Sequence, residues 1–161
     1  MDEYIQDILD LIEYANGDPK KTKWGKIRAA SGHPKSFNLK YIGIGNEDLI
    51  TDVFKERFTM IFQAIKKTYP DITVIGTVGP SCEGSDYEEG WNFADRLGLL
   101  MVDEHNYRTP GWFIYNQHFY DCYDRNKSKV YLGEYAAHLP GRLNNIETAL
   151  SEALFLISVE R

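Results

Sequence analysis

Cysteine is scarce. Cys82 and Cys122 are the only two, which leaves no disulfide framework and no four-cysteine zinc site. Two scattered thiols are expected to be unpaired rather than bridged. Basic charge is in deficit as well: 18 Lys and Arg stand against 24 Asp and Glu, a formal charge of −6. A nucleic-acid partner, which needs a basic face to displace counterions, is therefore not expected. Apolar runs never approach the roughly 20 residues that cross a bilayer, so neither a membrane span nor a membrane partner is expected. The start, Met1-Asp2-Glu3, lacks the basic, apolar and small-residue order of a secretory signal. The four histidines, His33, His105, His118 and His138, show no metal-ligand spacing, and neither a metal nor another cofactor is expected. Gly43-x-Gly45 lacks the third glycine of a dinucleotide loop, and no Gly-x-Ser-x-Gly elbow occurs.

What is present suits one compact domain: 161 residues, 43% hydrophobic and 14% aromatic. Tyr4, Ile5, Ile8, Leu9, Leu11 and Ile12 fall at helical spacing, and Asn16-Gly17-Asp18-Pro19 stops that helix. The stretch from there to about Asn38 reads as a long loop with Trp24 inside it. Strands are then predicted near 41–46, 72–78, 99–105 and 129–134, each followed by a helix. The first of these helices runs from Thr51 to Thr68. Ser85-Asp86-Tyr87-Glu88 reads as a capping box, Thr109-Pro110 as a cap with proline at the first helical position, and Asn144 with Glu147 as the start of the last helix. That last helix carries Ile146, Ala149, Leu150, Ala153, Leu154 and Ile157 at helical period. Strict strand–helix alternation with apolar strands means a parallel α/β sheet. A doubly wound sheet and four units of a (β/α)₈ TIM barrel both fit, whereas a closed barrel needs about 250 residues.

In either architecture, reactive groups gather at the carboxyl ends of strands. Those ends read Gly45-Asn46-Glu47, Gly79-Pro80-Ser81, Glu104-His105-Asn106-Tyr107 and Gly133-Glu134-Tyr135. A carboxylate just past an apolar strand is costly to desolvate unless it has partners or a task. Two of them, Glu47 and Glu134, with a His-x-Tyr between, suggest the paired carboxylates of glycoside hydrolysis, one acid and one nucleophile. The bland alternative is that both are loop carboxylates that cap helices or pair with basic side chains. Glu104 points to the opposite face from His105 and reads as structural.

Tyr41-Ile42-Gly43-Ile44-Gly45-Asn46-Glu47 resembles the segment that closes strand four in the large clan of retaining (β/α)₈-barrel glycosidases. Val130-Tyr131-Leu132-Gly133-Glu134-Tyr135-Ala136 stands where that clan closes strand seven. Within the clan the chain most resembles the family 51 α-L-arabinofuranosidases, through Trp24-Gly25-Lys26 with Arg28, Phe37-Asn38-Leu39-Lys40-Tyr41, Asp103-Glu104-His105-Asn106-Tyr107 and Tyr120-Asp121-Cys122-Tyr123-Asp124-Arg125. The resemblance implies that Glu47 is the general acid/base and Glu134 the nucleophile. It further implies that Asn46 binds the sugar 2-hydroxyl, and that His105 and Tyr107 line the pocket and orient Glu134. Trp24 either stacks on sugar or packs a loop. The implied reaction removes terminal α-L-arabinofuranosyl residues with retention, acting on arabinan or other hemicellulose-type carbohydrate.

The resemblance covers barrel strands four to seven only, so residues 1–161 are expected to form part of one catalytic domain, with no second domain. Strands one to three and strand eight would supply further sugar contacts, so little or no turnover is expected from this chain alone. The alternative is a non-catalytic half-barrel that self-associates, as a homo-oligomer through its exposed edges, or that complements missing units. Localisation, cytoplasmic or secreted, stays open because the resemblance places the true N-terminus elsewhere.

Overall fold

A computed structural model describes residues 1–139 and 145–159. Its element order is α1 (Asp2–Asn16), α2 (Lys23–Ala30), β1 (Tyr41–Ile44), α3 (Asp52–Thr68), β2 (Thr73–Thr77), α4 (Ser85–Leu97), β3 (Met101–Arg108), α5 (Pro110–Tyr115), a 3₁₀ turn (Phe119–Cys122), β4 (Lys129–Ala137) and α6 (Ile146–Val159). The strands form one four-stranded sheet in the order β1-β2-β3-β4. A doubly wound sheet reverses strand order at a switch point. The unreversed order here resolves the alternative left open by the alternation and is consistent with consecutive units of a (β/α)₈ barrel. Packing divides the chain into two compact units, residues 1–44 with 51–75, and residues 45–50 with 76–161.

In the first unit, α1 packs on α2 and α3 and buries Ile12 and Ala15, while α3 buries Phe58, Ile61 and Ile65. Thr51 caps α3 by accepting from Phe54 N. The expected long loop contains a helix, α2. Its cause is tertiary rather than periodic. Thr22 accepts from Gly25 N, and Glu13 on α1 accepts from Trp24 N at 2.8 Å. Arg28 is fully buried, and its guanidinium donates to the carbonyls of Tyr14 (2.7 Å), Gly17 (2.8 Å) and His33 (3.0 Å). A Cβ on Gly25 would meet Asp18 O at 2.5 Å, so only glycine lets α2 approach the preceding turn. Asn16 then ties the chain to β1, donating to Leu39 O and accepting from Leu39 N, both at 2.8 Å.

In the second unit, Thr109 caps α5 with Pro110 in the first turn, as expected. The capping box at Ser85 does not form: Gly84, at φ 94°, is the cap residue, and Ser85 already lies in the helix. Asp86 is used differently, accepting from Ile50 N at 2.7 Å and holding segment 45–50. Asn144 lies outside the described residues. Asn145 performs the capping, its Oδ1 accepting from Glu147 N and Thr148 N. Both later strands run further than predicted, to Arg108 and Ala137, because β3 and β4 stay paired past the predicted ends, through Arg108 opposite Ala137. Cys82 is buried and Cys122 exposed, and both are free.

Candidate active site

Alternation along β3 divides its side chains between two faces. Val102, Glu104 and Asn106 share one face. Glu104 is fully buried there and accepts from Tyr87 Oη (3.0 Å), Trp91 Nε1 (3.0 Å) and Tyr123 Oη (3.2 Å). Asn106 Nδ2 donates to Tyr120 Oη at 2.9 Å. Burial pushes the Glu104 carboxyl above its ordinary range, and the hydrogen bonds it accepts pull it part of the way back. This is a structural network that joins β3 to α4 and the 3₁₀ turn.

Asp103, His105 and Tyr107 occupy the other face. His105 is buried, with Nδ1 2.9 Å from Glu47 Oε1 and 3.7 Å from Glu134 Oε2, and Nε2 3.3 Å from Asp103 Oδ2. Tyr107 Oη donates to Glu134 Oε2 at 2.7 Å. One carboxylate oxygen of Glu47, one of Glu134 and a His105 nitrogen all lie within 4.8 Å of one another. Both carboxylates remain about two-fifths exposed, so the pair opens to a ligand.

Local backbone explains how these groups meet. Chain reversal after β1 puts Gly45 at φ 85° and Glu47 at φ 55°, and a left-handed glutamate is a strained choice typical of functional positions. Asn46 N donates to Asp48 Oδ2 at 2.9 Å. Asn46 does not cap α3, a task that falls to Thr51. β4 pairs with β3 in parallel, Glu104 opposite Leu132 and then His105 opposite Glu134, with Gly133 left over as a bulge.

Two opposing effects act on His105. Burial disfavours its charged form, but the Glu47 hydrogen bond and the Asp103 and Glu134 charges outweigh it and hold the ring above its ordinary value. Both ring nitrogens face carboxylate oxygens, an arrangement that suits the doubly protonated ring. The Glu134 hydrogen bond likewise raises the Tyr107 hydroxyl. Asp103 is pushed up by burial, against the His105 charge and the Gly133 amide.

The second unit thus brings together Glu47, His105, Tyr107 and Glu134, with Asn46 beside Glu47 in the chain. Trp24 stands on α2 in the first unit, with Lys23 Nζ 4.6 Å from its ring centre. Its Nε1 is buried without a hydrogen-bond partner among the described residues. Glu47, His105 and Glu134 also form a mixed nitrogen and oxygen donor set that could seat a cation, a juxtaposition that histidine spacing does not reveal. Sequence reasoning missed Asp103, although its place two residues before His105 and four before Tyr107 was a readable period-two signal.

Fold and site together define a class: a four-stranded α/β sheet whose strand ends bring two carboxylates together, one oxygen of each within 4.8 Å of the other. The chain belongs to the α-L-arabinofuranosidase family, since the model described as "Alpha-L-arabinofuranosidase 1 domain" matches residues 1–125. It is 46% identical over 158 residues to an extracellular exo-α-L-arabinofuranosidase of Streptomyces chartreusis, covering 98% of this chain and 18% of that protein. It is 35% identical to α-L-arabinofuranosidase 2 of Arabidopsis thaliana, covering 98% and 22% respectively. An arabinose-bound family 51 α-L-arabinofuranosidase superposes with a TM-score of 0.80 at 29% identity, over 99% of this chain and 26% of that one. A family 51 enzyme from Bifidobacterium longum shares the fold at a TM-score of 0.73 and 16% identity, over 96% and 42%. The chain therefore spans about a fifth of the length of these curated relatives.

Proposed function

We propose that this chain carries the two reacting carboxylates of an α-L-arabinofuranosidase that works by double displacement, and that residues 1–161 are part of its barrel catalytic domain. The observation that carries this reading is the approach of Glu47 and Glu134 oxygens to within 4.8 Å. Retaining enzymes hold their carboxyls about 5–5.5 Å apart, and inverting enzymes about 6.5–9.5 Å. In the first step Glu134 attacks the anomeric carbon and Glu47 gives its proton to the departing oxygen, leaving an arabinosyl ester on Glu134. In the second, water attacks the same carbon, Glu47 takes the water proton, and the ester oxygen leaves as the Glu134 carboxylate. Tyr107 holds Oε2 of Glu134, so Oε1 is the attacking oxygen. His105 fixes Oε1 of Glu47. Asn46, next to the acid, is placed to bind the sugar 2-hydroxyl, and Trp24 is an additional sugar or packing contact. The substrate is an arabinofuranoside at a chain terminus.

A furanose-configured epoxide tests the nucleophile directly. Incubation followed by peptide mass mapping should place the adduct on Glu134, and an adduct elsewhere overturns the assignment. Turnover of an aryl α-L-arabinofuranoside by the 161-residue chain alone should be slight. In a longer chain containing this segment, Glu47→Ala should cost about 10²–10⁴-fold in rate, and Glu134→Ala should abolish turnover.

A second reading, a non-catalytic unit that self-associates, is favoured by one feature: Ile146, Leu150 and Ile157 of α6 are exposed. Sedimentation separates the two, since a monomer at micromolar concentration counts against association.

A further inference from the structure

Parallel pairing puts partner residues on the same face of a sheet, and successive residues on opposite faces. Glu104 stands opposite Leu132. Had the ladder continued without interruption, His105 would face Gly133, and Glu134 would fall opposite Asn106, on the face of the Glu104 network. The extra residue at Gly133 reverses this. His105 stands opposite Glu134 instead, and Tyr135 takes the place opposite Asn106. Tyr135 accordingly packs with Leu132 against the Phe113–Phe155 core. A slip of one residue flips every side chain beyond it, so the bulge decides which face receives the carboxylate.

Asp103 is what holds the bulge. Its Oδ1 accepts from Gly133 N at 3.1 Å, while its Oδ2 lies 3.3 Å from His105 Nε2. A Cβ on Gly133 would sit 2.2 Å from Asp103 Oδ1, too close for any other residue unless the carboxylate moves. One carboxylate therefore touches both the bulged amide and the ring between the two glutamates.

We infer that Asp103 is a positioning residue of this site: it clamps the Gly133 bulge, which turns Glu134 from the helix-covered face to the face of Glu47, and at the same time it orients His105. The inference rests on the reading of Glu134 as the nucleophile for its functional meaning, but not for its geometry. The substitution Asp103→Asn keeps an oxygen for the Gly133 amide and loses the charge beside His105. Asp103→Ala loses both.

Those two variants separate the effects, and NMR titration of the isotope-labelled chain reads them. His105 reports the charges facing it, Glu47, Asp103 and Glu134. Tyr107 reports whether Glu134 still faces it, with Glu47 a lesser charge nearby. In Asp103→Asn the His105 midpoint should fall while that of Tyr107 stays raised. In Asp103→Ala both should fall, Tyr107 towards about 10, and the Gly133 amide proton should lose its downfield shift. Gly133→Ala should lower the Tyr107 midpoint with Asp103 intact, and serves where Asp103→Ala does not fold. A His105 midpoint unchanged in Asp103→Asn, or a Tyr107 midpoint unchanged in Asp103→Ala or Gly133→Ala, overturns the inference. Epoxide labelling of Glu134 in a longer chain containing this segment tests the other reading separately. Such a chain left unlabelled at Glu134, beside the expected titrations, would remove the nucleophile and leave the clamp standing.

Discussion

His105 concentrates the electrostatics of the site, because three carboxylates surround a ring that burial alone would keep neutral. With its folded value raised above the ordinary 6.5, its proton stabilises the folded state fully below about pH 6.5. That contribution is lost as the pH rises through the higher folded value. Replacing Glu47 by Gln removes the strongest favourable partner, so the His105 midpoint should drop in a ¹³C-detected histidine titration. An unchanged His105 midpoint would mean that the 2.9 Å contact does not persist in solution. Glu47, Glu134, His105 and Tyr107 were legible in the sequence because strand ends are where an α/β chain places reactive groups. The period-two spacing of Asp103 with His105 and Tyr107 marked its face, but its hold on Gly133 was not legible, because a one-residue bulge leaves no mark in hydrophobic spacing.

Elements fixed by their own periodicity were readable: α1, α3 and α4 present apolar stripes, and Thr51 and Thr109 cap where their side chains reach the third amide. α2 was not readable, since its order comes from residues distant in the chain. The fully buried Arg28 guanidinium ties the end of α1 to the turn after α2 by donating to the carbonyls of Tyr14, Gly17 and His33. Each orphaned carbonyl costs about 1–3 kcal/mol. Arg28→Ala should therefore lower unfolding free energy by about 3 kcal/mol or more, read as a shift in the urea midpoint. Arg28→Lys should recover little of it, because an ammonium cannot span the same carbonyls as a planar fork. A loss below about 0.5 kcal/mol, the range of an ordinary surface substitution, would show that α2 is held by something else. The capping box failed for a related reason: Gly84 adopts a left-handed angle that places the helix start one residue earlier, which frees Asp86 for Ile50.

At the scale of the molecule, α6 carries the clearest unmet demand. It packs on α5 and β4 with Thr148, Ser151, Phe155 and Ser158. The hydroxyls of Thr148, Ser151 and Ser158 bond to carbonyls three residues earlier, which allows them to be buried. The apolar stripe that marks the helix in the sequence faces outward instead: Ile146, Leu150 and Ile157 are 74%, 63% and 64% exposed. Burying one such side chain fully is worth about 1.5–3 kcal/mol, while association costs about 4–15 kcal/mol. One stripe of three such side chains, about 4.5–9 kcal/mol, reaches only the lower part of that cost, whereas two facing stripes, about 9–18 kcal/mol, can meet most of it. The chain alone should therefore associate at micromolar concentration through this helix. Leu150→Lys with Ile157→Lys should return it to monomer in sedimentation velocity without changing its circular dichroism, since neither side chain packs inward. If the unaltered chain associates and the lysine pair leaves its mass unchanged, another surface is responsible. If the unaltered chain is already monomeric, the stripe is tolerated in water and the self-associating reading is lost, which leaves the paired carboxylates as the feature that accounts for this sequence.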